Sequence, residues 1–360
     1  MRPGAAASKS WRIAMAAQSS RAIRLGIIGT GLAIEKLHWP ALSQLLDRYQ
    51  ITAFSNHTRP KAEAFAQQAG LSMDGYSSDY ADLLGRSDVD AVLIALPIAL
   101  LYPATRDALR AGKHVLVEKP AGKDQDEARA FLALESEFPN LKVLVAENYY
   151  YRDDLLFAQK LIRDGTLGQV HLMNWRIVNR SDPSQGSYAA TRWRQDIDYR
   201  GGFHLDGGVH HVAQMRMLLG EVGQVSAYLQ DANPVMGGPS DMVLNLRFGS
   251  GAIGSYTAAY LPIAAHEELN EMRIYGSAGS MALRGRLVRV VSADGAVQEH
   301  ILDNDGGYYK QLVNFHEAIV DGAPIAGTIA QSAANLAVIM RALDSAESGR
   351  AFEVERGVPA

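Results

Sequence analysis

Ile23-Arg24-Leu25-Gly26-Ile27-Ile28-Gly29-Thr30-Gly31-Leu32-Ala33-Ile34 is the stretch on which the fold turns. Residues 23–28 are a short apolar run that reads as a buried strand. The run ends in Gly-Thr-Gly and leads into a helical stretch over about 33–46. Gly29 permits the tight turn. Gly31 lets backbone approach a pyrophosphate, whose charge the helix N-terminus stabilises. Thr30, Leu32 and Ala33 belong to the same loop. The third small position of such loops is occupied here by Ile34, which crowds helix against strand unless Ala33 takes the close contact. Taken alone, a two-glycine turn is equally an ordinary strand-to-helix connection. Its place at the head of an alternating array selects the dinucleotide reading.

That array runs outward from the turn. Strands are expected at 51–54, 91–96, 114–117 and 142–146. Helices are expected at 61–68, 79–84, 101–111 and 124–137. The segment AVLIAL at 91–96 is apolar on both faces, as a parallel strand covered on both sides must be. Strands alternating with helices give a doubly wound α/β sheet, so residues 22–147 read as a dinucleotide-binding Rossmann domain. The rhythm then changes. A helix at 153–164 is followed by strands at 169–178, 224–229, 242–248, 252–259, 271–276 and 287–291, with a hairpin turn at 249–251. One helical insertion lies at 209–219, and helices at 310–320 and 329–348 close the chain. Residues 148–360 therefore read as an α+β domain with a large, mostly antiparallel sheet that binds substrate and mediates self-association. Residues 1–21 are small and polar with scattered positive charge, and read as a flexible extension or as the product of an upstream start, with Met15 the alternative.

Composition narrows the function. Of 360 residues, 48% are hydrophobic and 21% charged, with a formal net charge of −4 and the basic residues dispersed, which argues against nucleic acid or an anionic membrane as the main partner. No apolar run is long enough to span a bilayer. The chain has no cysteine, so disulfides, thiol nucleophiles and Cys-ligated zinc are excluded. A cytoplasmic location fits these features.

The end of the second strand selects the cofactor. An acid there would hold a ribose 2′-hydroxyl and repel a 2′-phosphate. This chain has Ser55-Asn56-His57-Thr58-Arg59: no acid, several donors and a permanent cation. With Ser55, Asn56, His57 and Arg59 as contacts, that set suits NADP(H), with NAD(H) the alternative. A polar loop without any adenosine contact has the same composition.

Two more segments carry chemistry, KHVLVEKPAG at 113–122 and GGFHLDGGVHH at 201–211. Together with the glycine turn and His38-Trp39-Pro40-Ala41-Leu42, they make the chain resemble the glucose–fructose oxidoreductase/inositol dehydrogenase (Gfo/Idh/MocA) family from about residue 23 to the C-terminal helices. The resemblance implies a catalytic Lys119 with Asp206 and His210 opposite it. Elementary chemistry agrees. Oxidising an alcohol by hydride transfer needs a base for the hydroxyl proton, and histidine titrates near neutrality. A nearby ammonium stabilises the developing alkoxide. A carboxylate four residues before the histidine shares its side of a helical turn. His210 is thus read as acid/base, Lys119 as electrostatic partner, and Asp206 as orienting and substrate-binding. By local signal alone Lys119 reads as a solvated lysine and Asp206 equally as a helix cap. His211 reads as structural.

The resemblance also places Glu118 and Asn148 by the nicotinamide ribose, and Trp193 and Arg194 at the cofactor or substrate. Tyr151, in the cluster 149–152, is a candidate substrate contact. Leu96 and Pro97 border the cofactor where many relatives carry Thr-Pro-Asn, and Leu101 stands near a position where histidine is common, so polar contacts made there by relatives are missing. His204, Asp206 and His210 are the residue types of a two-histidine, one-carboxylate metal site, but a short glycine-rich stretch makes convergence difficult, and no metal is expected. The function read from this set is a dehydrogenase or reductase acting on a sugar, polyol or keto derivative. The rival is a dinucleotide-binding sensor on the same fold. A homodimer or homotetramer through the C-terminal sheet is expected.

Overall fold

The structure is a computed structural model and describes residues 22–355 except 182–183, 185–186, 234, 263–268 and 304. The reading of residues 1–21 lies outside the described residues.

Six strands form the first sheet: β1 (Ile23–Ile28), β2 (Tyr49–Ser55), β3 (Tyr76–Ser77), β4 (Ala91–Ile94), β5 (His114–Val117) and β6 (Val143–Val145). They are parallel in the order β3-β2-β1-β4-β5-β6. The order reverses between β2 and β4 on either side of β1, so a crevice opens at the carboxyl end of β1. β4 is wholly buried because helices cover both faces. The helix after β1 differs from expectation. It carries a π-type turn over Ile34–His38 and ends in Trp39–Leu42, short of residue 46. The Trp39 N–H reaches back to the Ile34 carbonyl, and Pro40 has no N–H to give. Ile34, in the position expected to crowd the strand, is buried within the Rossmann core.

The second sheet has nine strands: β7 (Val170–Arg180), β8 (Val222–Gln230), β9 (Asp241–Phe248), β10 (Ile253–Leu261), β11 (Leu269–Gly276), β12 (Gly279–Arg284), β13 (Leu287–Ser292), β14 (Val297–Ile301) and β15 (Phe352–Glu353). Their order is β14-β13-β12-β11-β7-β10-β9-β8-β15. All pairs are antiparallel except β7 with β10, because the helical insertion separates β7 from the β8–β10 meander. Strict alternation writes the two faces. Met242, Leu244, Leu246 and Phe248 of β9 point inward, whereas Val243 is 44% exposed. The inner face is covered by helices Gly208–Leu219 and Ile329–Ser348. The outer face is open, with Tyr228 paired across to Val243.

The chain returns to the first domain near its end. Helix Tyr308–Val320 sends Leu312 and Phe315 into the Rossmann core, and the Leu312 carbonyl accepts a hydrogen bond of 2.6 Å from the buried Tyr49 hydroxyl. Gly327 then accepts the backbone N–H of Val145 in β6. Residues 147–151, which follow β6, are therefore held between the two cores, and the site is built on them. No helix of the described residues is long and apolar enough to cross a membrane.

Candidate active site

A cleft of about 1380 Å³ runs from the glycine turn to the floor of the second domain. At one end Gly29 adopts φ +87, where a side chain would place Cβ 2.3 Å from the Ala95 carbonyl oxygen. At Gly31 an added Cβ would meet no protein atom within 4 Å and would project into free space. The helix begins there, its first N–H groups lacking partners within the helix. Backbone donors, room and an open approach are what a pyrophosphate requires, so the cleft fits a dinucleotide. Thr30, Leu32, Ala33, Ser55, Asn56, His57, Leu96, Pro97, Glu118, Lys119, Trp193 and Arg194 line it. Asn56 also works within the turn: its amide donates to Thr30 Oγ1 at 3.0 Å and accepts the Thr58 N–H.

Three expected contacts lie elsewhere. Arg59 does not line the cleft. It pairs with Glu63 at 2.8 Å and lies over the Tyr76 ring, because the first helical turn points it outward. The cation that does line this end is Lys61. Asn148 is turned away from the cleft, its amide donating to the Gly306 carbonyl at 2.6 Å. Tyr151 is no substrate contact either. It is 6% exposed, donates to Asn314 Oδ1 at 2.8 Å and accepts the Gly327 N–H, so it fastens the returning C-terminal segment to the Rossmann core.

At the other end Lys119, just beyond β5, extends to Asp206 on the short helix Gly202–Asp206. Lys119 Nζ is 2.8 Å from Oδ1 and 2.6 Å from the Asp206 carbonyl oxygen. The second carboxylate oxygen accepts Arg194 Nε at 2.6 Å. Arg194 is itself held face-on by the Trp193 and Tyr188 rings, at 4.0 and 5.2 Å. Burial pushes the Asp206 carboxyl up, but Lys119 and Arg194 outweigh it and hold it well below the ordinary carboxylate range. Tyr188 lines the same cleft with its hydroxyl buried and without a hydrogen-bond partner among the described residues, and burial beside Glu118 pushes it up to about 12.

Asp206 is thus fully engaged and does not orient His210, as its spacing had suggested. The carboxylate on His210 is Glu147, whose Oε1 is 2.6 Å from Nδ1. His210 does not line the cleft itself; 17% of its side chain is exposed, and its charge is felt by Glu118. His211 turns the other way, bonded to the Tyr256 hydroxyl at 2.8 Å and packed on Trp175. His204 lies against Tyr260, with neither ring nitrogen hydrogen-bonded. Among the described residues no group of His, Asp and Glu converges as metal ligands.

Glu118 is bound by His38, whose Nε2 is 2.6 Å from Oε1. The π-type turn Ile34–His38 delivers that histidine, and such turns recur at functional sites. Burial pushes the Glu118 carboxyl up, while His38, Lys119 and His210 bring it below the usual range. Glu147, Lys61 and Tyr188 were missed in the sequence. Only Lys61, one turn past the second strand in a helix opening, left a local signal.

Comparison with known proteins agrees with this fold. The profile of the Gfo/Idh/MocA oxidoreductase family with an NAD-binding Rossmann fold matches residues 23–146, and that of the Gfo/Idh/MocA C-terminal domain matches residues 155–282. An uncharacterized protein of Saccharomyces cerevisiae is 30% identical over 312 residues, covering 82% of this chain and 87% of its own. A dTDP-3,4-didehydro-2,6-dideoxy-alpha-D-glucose 3-reductase of Streptomyces violaceoruber is 31% identical over 277 residues, 74% of each chain. The crystal structure of an oxidoreductase from Thermotoga maritima superposes with a TM-score of 0.85 at 33% identity, covering 93% of this chain and 99% of the other.

Proposed function

The chain belongs to the Gfo/Idh/MocA family of oxidoreductases, with its NAD-binding Rossmann domain, and from that premise we propose that it moves a hydride between a nicotinamide and a sugar, polyol, cyclitol or keto-sugar. One observation carries the reading: a single cleft joins the glycine turn and the end of β2 to Lys119, Arg194 and Asp206. The relative that reduces a dTDP-keto-sugar supports a carbohydrate-like substrate.

When bound, the nicotinamide supplies the hydride acceptor or donor. The chain's own residues handle the proton and the charge. Lys119, anchored by Asp206, faces the substrate oxygen with a fixed cation and stabilises it as it becomes an alkoxide. His210 takes the hydroxyl proton in oxidation and returns it in reduction. Asp206 and Arg194 hold Lys119 in place and border the substrate. Tyr188, with its unpartnered hydroxyl, offers a further hydrogen bond.

The cofactor reading is NADP(H) over NAD(H). It rests on Ser55, Asn56 and His57, the absence of an acid at the end of β2, and Lys61 in place of Arg59 as the cation. The open face of the nine-stranded sheet, with Tyr228 73%, Ile253 52% and Val243 44% exposed, supports a homo-oligomer built face to face. Residues 148–360 then serve as the substrate-binding and oligomerising part.

The test is a panel of sugars and cyclitols offered with NADP+ and NAD+, reading reduced-nicotinamide absorbance. At least one member should turn over. Lys119→Ala should then lower kcat by about 10²- to 10³-fold while leaving dinucleotide affinity nearly unchanged. Tight dinucleotide binding with no turnover across the panel would replace the enzyme with a sensor.

A further inference from the structure

We propose that Glu147 is the positioning residue for His210, fixing the ring so that Nε2 is the nitrogen that exchanges a proton with the substrate. The inference rests on the reading of His210 as the acid/base, and it adds a residue to that site.

Glu147 is 1% exposed and stands two residues beyond β6, where the chain passes between the two cores. Its Oε1 lies 2.6 Å from His210 Nδ1 and also accepts the Tyr149 backbone N–H at 3.2 Å. The Tyr149 ring stacks on the imidazole at 4.9 Å between centroids, 13° from parallel, and carries the Arg152 guanidinium 4.4 Å from its own centroid. Glu147 therefore fixes the ring in its plane and Tyr149 fixes its face. Among the described residues His210 is the one side chain hydrogen-bonded to the Glu147 carboxylate. A buried carboxylate without a partner costs several kcal/mol, so the pair is bound together energetically as well as geometrically.

The hydrogen-bonding inventory then sets the tautomer. An ionised carboxylate only accepts. Nδ1 must therefore carry the proton, which leaves the lone pair of the neutral ring on Nε2. In alcohol oxidation the hydroxyl proton goes to Nε2, and the C–H bond breaks with its electron pair going to the nicotinamide as hydride. The Nδ1 proton stays on Nδ1, held by Glu147, whose negative charge stabilises the imidazolium so formed. Carbonyl reduction runs the same transfers backwards. Asp206 cannot take this part, since Lys119 and Arg194 occupy both of its oxygens.

Two measurements on the full chain decide it. The first is a long-range proton–nitrogen NMR correlation on protein labelled at the histidine ring nitrogens, with the His210 signals identified by their loss in His210→Gln. At alkaline pH, the wild type should show a protonated Nδ1 and a bare Nε2. Glu147→Gln, whose amide can donate to Nδ1, should reverse or mix that pattern. A wild-type His210 with its proton on Nε2 overturns the proposal.

The second is kinetic. Glu147→Gln should lower kcat for oxidation by at least about 10²-fold, leave the dinucleotide KM within about twofold, and move the acidic limb of kcat/KM to lower pH. Glu118 and His211 interact with this ring through charge, and Arg152 lies across Tyr149 from it; none of them is altered. Glu147→Asp should recover most of the activity. An unmoved pH limb, or equal losses in both variants, would make Glu147 a purely structural residue. Absence of turnover in the wild type would count against the enzyme reading, while the tautomer would still judge this one. If Glu147→Gln does not fold, the wild-type tautomer and Glu147→Asp suffice.

Discussion

Asp206 divides its carboxylate between two cations, with Lys119 2.8 Å from Oδ1 and Arg194 2.6 Å from Oδ2. The three side chains are 5–17% exposed, so water screens them little. Asp206→Asn keeps the shape and leaves two cations facing a neutral amide. It should reduce stability at pH 7 by about 3 kcal/mol in urea unfolding. The sign of the pH dependence follows from a carboxyl held low by its partners. Its contribution is complete above the unfolded value near 4 and is lost as pH falls through the folded one. The gap between wild type and variant should therefore close on acidification below about pH 4. A gap of the same size at pH 3 and pH 7 would refute the ion-pair account.

Cofactor choice can be tested one residue at a time. Lys61→Ala should lower kcat/KM for NADPH by about 10-fold or more while sparing NADH, as the loss of a charge-assisted contact requires. Arg59→Ala should change neither, because Arg59 is spent on Glu63 and Tyr76. Ser55→Asp restores the acid missing from the end of β2 and should invert the preference. The ratio of kcat/KM values for the two cofactors reads all three. An effect of Arg59→Ala equal to that of Lys61→Ala would refute this geometry.

The same pair of residues marks where the sequence stops being informative. The strand, turn and helix over residues 23–42 could be read because each signal is local. His210 and His211 point apart because adjacent helical residues must. Arg59 and Lys61 are both cations on one helical turn, and only the packing of Phe65 and Ala62 against the sheet decides which of them faces the cleft. Tyr149 and Tyr151 pose the same problem on a 3-10 turn, one stacking on His210 and the other buried in the Rossmann core. Glu147 lies 63 residues from His210, and no periodicity links them. The nearer Asp206 has the spacing of a partner, but two cations occupy its carboxylate. The return of helix Tyr308–Val320 into the first core has the same long-range origin.

Two buried histidines predict how the fold responds to acid. Burial pushes His204 down to about 4 and His211 down to about 3, so the folded protein refuses protons that the unfolded chain accepts below pH 6.5. Folded values depressed below the unfolded one give stability that is full above pH 6.5 and falls with pH below it. Each histidine adds about 1.4 kcal/mol per pH unit to the slope. His204 has no hydrogen bond to lose, so His204→Leu should be tolerated at pH 7. It should also cut the steepness of urea-derived stability between pH 6 and 4.5 by about that amount. An unchanged slope would mean that His204 is protonated in the folded state.

Two glycines two residues apart should fail in opposite ways. Gly29 holds φ +87 with the Ala95 carbonyl oxygen where a Cβ would have to sit, 2.3 Å away. Gly29→Ala must strain the backbone or move β4, and should lose about 3 kcal/mol of stability whether or not dinucleotide is present. At Gly31 an added methyl meets no protein atom within 4 Å. Gly31→Ala should therefore leave the Tm of the free protein unchanged and weaken dinucleotide binding by about 10²-fold, because the methyl takes the space where the pyrophosphate comes closest to the helix. Thermal unfolding and fluorescence titration with NADPH separate the two effects. Normal binding by Gly31→Ala would move the dinucleotide off this turn, and with it the basis for placing a nicotinamide beside Lys119.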